Sequence, residues 1–144
     1  MADFAELITG YHRFRQNGWS RQHERWAELR EGQSPRVMII ACSDSRVDPA
    51  QIFDASPGEI FSVRNIANLV PTFQPDAGQH GTSAGIEYAV NALGISDLVV
   101  LGHGRCGGIR WALNPGNPLA QGDFIGKWMS MLAPVTDQVA TYSF

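Results

Sequence analysis

Lysine is almost missing from this chain, with Lys127 the only one among eleven basic residues. Charged residues make up 17% of the sequence and the net charge is -3, which leaves no basic surface for a nucleic-acid backbone or an anionic membrane. Long apolar runs are missing too: none approaches the roughly 20 residues that a membrane-spanning helix needs. The N-terminus lacks the basic-then-apolar order of a secretory signal, so the expected location is the cytoplasm. Cysteine occurs twice, at Cys42 and Cys106. A reducing compartment argues against a disulfide between them and leaves both thiols for another use. No repeat or low-complexity segment is visible. What remains is a globular composition, 44% hydrophobic, long enough for one core and read as a single domain over residues 1–144.

Periodicity places the elements. Residues 3–17 carry Phe4, Leu7, Ile8, Tyr11 and Phe14 at helical spacing, with Asn17-Gly18 as the expected stop. Ser20 is read as the cap of a second helix that bears Trp26 and Leu29 and ends before Gly32. These helices form an N-terminal arm that either covers its own sheet or packs on another subunit. Three short runs, 36–41 (RVMIIA), 59–64 (EIFSVR) and 97–102 (DLVVLG), read as strands, the first and third as buried ones. A helix over 81–93, through Ile86, Ala89, Val90 and Leu93, separates the last two. Strand, helix, strand predicts an α/β fold: a central, mainly parallel sheet flanked by helices and preceded by the arm. A further helix is expected over 123–132, interrupted by Pro134.

Ligands of such sheets bind beyond the carboxyl ends of the strands. Two constellations stand there: Cys42-Ser43-Asp44-Ser45-Arg46 after the first strand, and His103-Gly104-Arg105-Cys106-Gly107-Gly108 after the third. Two thiolates and an imidazole form a soft set suited to tetrahedral Zn²⁺. Only three such donors occur at these positions, whereas a closed structural site uses four, so the pattern points to an open, catalytic site. A competing reading takes Cys42 and Arg46 as a cysteine-dependent phosphatase loop. That loop needs five residues between cysteine and arginine, three are present, and Asp44 would repel a phosphate. His12, His23 and His80 match no motif and read as surface histidines.

In full, the motifs are Gln33-Ser34-Pro35, Ala41-Cys42-Ser43-Asp44-Ser45-Arg46-Val47, Val63-Arg64-Asn65-Ile66-Ala67-Asn68, Ile86-Glu87-Tyr88-Ala89-Val90 and Gly102-His103-Gly104-Arg105-Cys106-Gly107-Gly108-Ile109. In this order they closely resemble the β-carbonic anhydrases, from about the first helix to Trp111. The resemblance implies reversible, zinc-dependent hydration of carbon dioxide to bicarbonate and a proton. It implies that Cys42, His103 and Cys106 bind zinc and that Asp44 and Arg46 form a catalytic dyad. Gln33, Phe61, Ile66 and Tyr88 fall where that family lines its substrate pocket. The family's pockets lie at a dimer interface, so a homodimer or a multiple of it is expected, with Gln33 and Tyr88 reaching in from the partner.

Zinc held by two thiolates and an imidazole carries little net charge and acidifies water less than a three-histidine zinc, so activity is expected at neutral to alkaline pH. Arg46 is expected to hold Asp44 off the metal; unpaired, Asp44 would become the fourth ligand and close the site. Family members that use this swap as a bicarbonate switch carry a tryptophan three positions before the first cysteine. Ile39 stands there, so the open form is expected. Family chains continue beyond residue 144, and the domain is therefore read as incomplete at its C-terminus. The alternative from a different class is a catalytically silent, zinc-bound assembly module, which would have no need of Asp44, Arg46 and Gln33.

Overall fold

The structure is a computed structural model that describes residues 3–76 and 78–139, so the tail at 140–144 lies outside the described residues. The arm begins with α1 (Phe4–Arg13), closed at its start by a reciprocal capping box: Glu6 N–H donates to Asp3 Oδ1 at 2.8 Å and Asp3 N–H to Glu6 Oε2 at 3.0 Å. Asn17-Gly18 does not stop the helix. The chain winds on through a π-helical turn (Phe14–Gly18) into α2 (Trp19–Arg21) and then α3 (His23–Leu29). Aromatic packing overrides the local turn preference: Trp26 stacks on Trp19 with centroids 5.4 Å apart and meets Phe14 edge-on at 6.0 Å. Ser20 therefore sits inside the helical run rather than capping it, its hydroxyl donating to the Arg15 carbonyl. Phe4, Leu7, Ile8, Tyr11 and Phe14 are all exposed, so α1 does not cover its own sheet, whereas α3 packs beside the start of β2, with Leu29 against Gly58 and Arg25 Nε donating to the Pro57 carbonyl at 2.9 Å.

The sheet has three parallel strands, β1 (Val37–Cys42), β2 (Ile60–Asn65) and β3 (Asp97–Leu101), in the order β2-β1-β3. The short α4 (Pro49–Ile52) follows β1, α5 (Gly81–Asn91) links β2 to β3, and α6 (Gly107–Leu113) follows β3. Beyond these lie α7 (Phe124–Met129), a 3₁₀ turn (Ser130–Leu132) and α8 (Ala133–Val139). Pro134 falls in the first turn of α8, where a missing N–H costs nothing, so the interruption expected there is a tightened turn between two helices.

β1 is buried on both faces, as its continuous apolar run requires. β3 is not. Leu98, Val99 and Val100 are 42%, 37% and 49% exposed, because β3 is the sheet edge and pairs only with β1 among the described residues. The expectation of a buried third strand is corrected in this respect. Met38, Ile40 and Ala89 form one core cluster, between the sheet and α5. There Gly85 gives the close approach: a Cβ on it would stand 2.6 Å from Val63 Cγ2. The second cluster gathers Cys42, Val47, Ala67, Cys106 and Met129 at the carboxyl end of the strands. No helix among the described residues is long and apolar enough to cross a membrane.

Candidate metal centre

Pairing alone brings the two sequence constellations together. Cys42 ends β1 opposite Asn65 of β2, and Ser43 N–H donates to the Asn65 carbonyl at 2.8 Å, so the loop leaves the sheet in a fixed direction. His103 follows β3 two residues after its end. Arg105 then takes a left-handed conformation, φ 55°, which turns the chain back and sets Cys106 at the start of α6. A non-glycine residue there costs about 1–2 kcal/mol, held by the surrounding packing.

The donor atoms of Cys42, His103 and Cys106 lie within 4.8 Å of one another. The two Sγ atoms are 3.9 Å apart. Two sulfurs each about 2.3 Å from a tetrahedral zinc would be separated by about 3.8 Å. His103 Nδ1 lies 3.1 Å from the Gly104 carbonyl, which assigns it the proton and leaves Nε2 as a bare acceptor. That Nε2 is buried with no hydrogen-bond partner. An orphaned buried nitrogen beside two free, buried thiols is costly unless something fills the space, and a thiophilic cation fits the donor set. Burial pushes the Cys42 thiol up, but the Asp44 N–H, His103, the Ala67 N–H and Cys106 together bring it below its ordinary value.

Asp44 stands next to this set, not in it. Arg46 grips its carboxylate with a fork, Nε to Oδ1 at 2.8 Å and Nη2 to Oδ2 at 2.7 Å, while the Arg46 N–H adds a third bond at 3.0 Å. The Arg46 side chain and its backbone N–H hold the Asp44 carboxyl well below the usual carboxylate range. Arg46 Nη2 also donates to the Arg105 carbonyl at 3.3 Å, which ties the dyad to the loop carrying the other two donors.

Behind Cys42, β2 runs into a strained turn in which Ala67 and Asn68 both have positive φ, 64° and 47°. The Asn65 side chain closes it with two 2.8 Å bonds to Leu69, and Trp128 Nε1 donates to the Ile66 carbonyl at 2.8 Å. Ile66 is exposed on this turn, and its methyl lies against Gly108 of the second loop. Phe61 and Tyr88 are elsewhere: their rings pair at 5.9 Å, and Phe61 sits opposite Met38, four residues before Cys42, or roughly 13 Å along the strand. Gln33 is exposed on the segment before β1. One chain thus joins Ile66 to the metal centre but not Phe61, Tyr88 or Gln33. His12, His23 and His80 are exposed, His80 in a 2.7 Å pair with Asp76. Asn65 and Trp128 contribute to the centre without having been singled out by the sequence; the paired turn bonds of Asn65 have no periodic signal, and Trp128 reads as helix core.

Fold and site together define an α/β protein with three candidate metal donors, Cys42, His103 and Cys106, at the carboxyl edge of a parallel sheet. The family model for carbonic anhydrase matches residues 37–143, and the chain belongs to the β-class carbonic anhydrases. A carbonic anhydrase of Pseudomonas aeruginosa is 42% identical over 102 residues, 71% of this chain and 46% of that protein. The chain thus spans about half the length of this curated relative. The β-carbonic anhydrase CcaA superposes with a TM-score of 0.88 at 30% identity, over 99% of this chain and 70% of that one. A tetrameric β-carbonic anhydrase of Sordaria macrospora gives 0.82 at 31% identity, over 96% of this chain and 66% of that one.

Proposed function

We propose that this chain holds one zinc ion through Cys42, His103 and Cys106 and catalyses the reversible hydration of carbon dioxide to bicarbonate and a proton. The observation that carries the reading is the orphaned His103 Nε2 facing two free thiols, with a carboxylate held beside them by an arginine fork. Bound there, zinc would supply a Lewis acid that lowers the pKa of water. Asp44 keeps its charge because Arg46 pays out three hydrogen bonds to it, and it accepts a hydrogen bond from the attacking water, fixing the direction of the remaining lone pair. Arg46 also keeps that carboxylate from joining the donor set. Ile66 supplies apolar wall suited to a small apolar gas, and Phe61, Tyr88 and Gln33 complete the pocket from a second subunit. Membership of the family and the tetrameric relative support this shared-pocket reading. Two free cysteines suit a reducing cytoplasm.

Zinc content and stopped-flow hydration of carbon dioxide, measured on the same sample, test the proposal. We expect one zinc per chain with hydration well above the buffer rate, and loss of most of the zinc in Cys106→Ser. Normal metal occupancy in that variant refutes the ligand set. Full zinc without hydration overturns the enzymatic reading in favour of a silent module.

A further inference from the structure

One half-buried charge is not used by the proposed metal set or by the Asp44–Arg46 pair. Arg64 is the penultimate residue of β2, and its guanidinium makes three separate bonds to the loop that follows β1. Nε donates to the Cys42 carbonyl at 3.0 Å, Nη2 to the Asp44 carbonyl at 2.6 Å, and Nη1 to Asp48 Oδ2 at 2.9 Å. The other oxygen of Asp48 caps α4, accepting from Ala50 N–H at 3.1 Å and Gln51 N–H at 3.3 Å. The Asp44 carbonyl also accepts from Val47 N–H at 3.2 Å, so the turn has its lone pairs filled from two directions.

We propose that Arg64, braced by Asp48, is a positioning residue that holds the Cys42–Asp48 loop in the shape the metal donors and the Asp44–Arg46 pair require. The proposal rests on the metal reading above and goes beyond it, since Arg64 touches neither donor atoms nor the Asp44 carboxylate. Four residues separate Cys42 from Val47, and over this short stretch the chain must point the Cys42 sulfur inward and the Asp44 carboxylate alongside it. Backbone carbonyls are the handles for doing this, because they fix chain direction without competing for the metal. A planar fork with several fixed donors reaches two carbonyls and a carboxylate at once, which a single ammonium does not. Partners of this outer kind are worth about 10–100-fold in metal affinity or activity.

The test compares the full chain with Arg64→Gln, Arg64→Lys, Asp48→Asn and the core variant Gly85→Ala. Zinc affinity is read by competition with a chelator, and the donor set by the visible spectrum of the cobalt(II)-loaded protein. Arg64→Gln is expected to bind zinc about 10–100-fold more weakly and to show an altered cobalt spectrum. Arg64→Lys and Asp48→Asn, each keeping part of the clamp, should fall between it and the parent. Gly85→Ala, a destabilised protein with an intact clamp, should keep the parent affinity and spectrum, which separates positioning from general loss of stability. A cavity of about 390 Å³ lined by Trp26, Ser62 and Arg64 gives small molecules access to this point, so millimolar guanidinium should restore part of the affinity to Arg64→Gly. Should Arg64→Gln fail to fold, the lysine and Asp48 variants decide the matter. Parent affinity and parent spectrum in the folded Arg64 or Asp48 variants overturn the proposal. A parent chain that takes up no metal overturns the metal reading itself, and the clamp with it.

Discussion

At the residue scale the proposed chemistry turns on the Asp44–Arg46 pair. With a fork at 2.8 and 2.7 Å and a backbone N–H at 3.0 Å, the carboxylate is over-determined in position and held below the usual carboxylate range by Arg46. Its pKa is lower folded than unfolded, so the linked stability is present above the unfolded value of about 3.9 and is lost as pH falls through the folded one. The pair is therefore ionised throughout the neutral range, and changes of rate between pH 6 and 9 come from other groups. Removing Arg46 frees a carboxylate beside the donor set, and a carboxylate is a competent zinc ligand at about 2.0–2.2 Å. Arg46→Ala should keep its zinc, lose at least about 10-fold in hydration rate, and place Asp44 on the metal in a crystal structure. Hydration at the parent rate would reduce Arg46 to an ordinary ion-pair partner.

At the scale of elements, the approach of α5 to the sheet is tightly constrained. Gly85 has Val63 Cγ2 at 2.6 Å from where a Cβ would stand, and Val63 is β-branched and stiff at χ1. Gly85→Ala gains about 1 kcal/mol of helix propensity but forces an overpacking that costs about 1–3 kcal/mol, so the clash outweighs the gain. We expect a lower midpoint in urea with an unchanged m-value; a raised midpoint would mean that β2 yields freely. The same scale explains what was legible in the sequence. β1 was readable because burial on both faces leaves a continuous apolar run, and the nearness of Cys42, His103 and Cys106 because all three follow strand ends. The run of β3 carries the same signal, yet its exposure depends on neighbours that no local pattern encodes. The helical passage through Asn17-Gly18 was hidden because its cause, the Phe14–Trp19–Trp26 cluster, closes only in three dimensions. α6 was hidden by the glycines at its start, and the Arg64 clamp by the distance of 16–22 residues between its partners.

For the whole molecule the decisive quantity is surface. A compact monomer of 15.8 kDa exposes about 7,300 Å² by the usual scaling. This chain exposes 10800 Å², roughly half as much again. Much of the apolar share lies on the α1 face (Phe4, Leu7, Ile8, Tyr11) and along β3. An excess of this size is what interface burial in a permanent oligomer removes. The proposed shared pocket points the same way, since Phe61 lies roughly 13 Å along the strand from the level of Cys42 and Tyr88 pairs with it at 5.9 Å. We therefore expect sedimentation at micromolar concentration to give at least twice the chain mass. Charging the α1 face with Leu7→Asp and Tyr11→Asp should weaken association by about 100-fold or more, as loss of central apolar anchors does. All three proposed metal donors belong to one chain, so the resulting monomer should keep its zinc while hydration falls, because the pocket residues proposed to come from the partner are gone. A parent that sediments as a monomer, or a charged variant that is monomeric and fully active, would show that each chain works alone and that the pocket closes without a second copy.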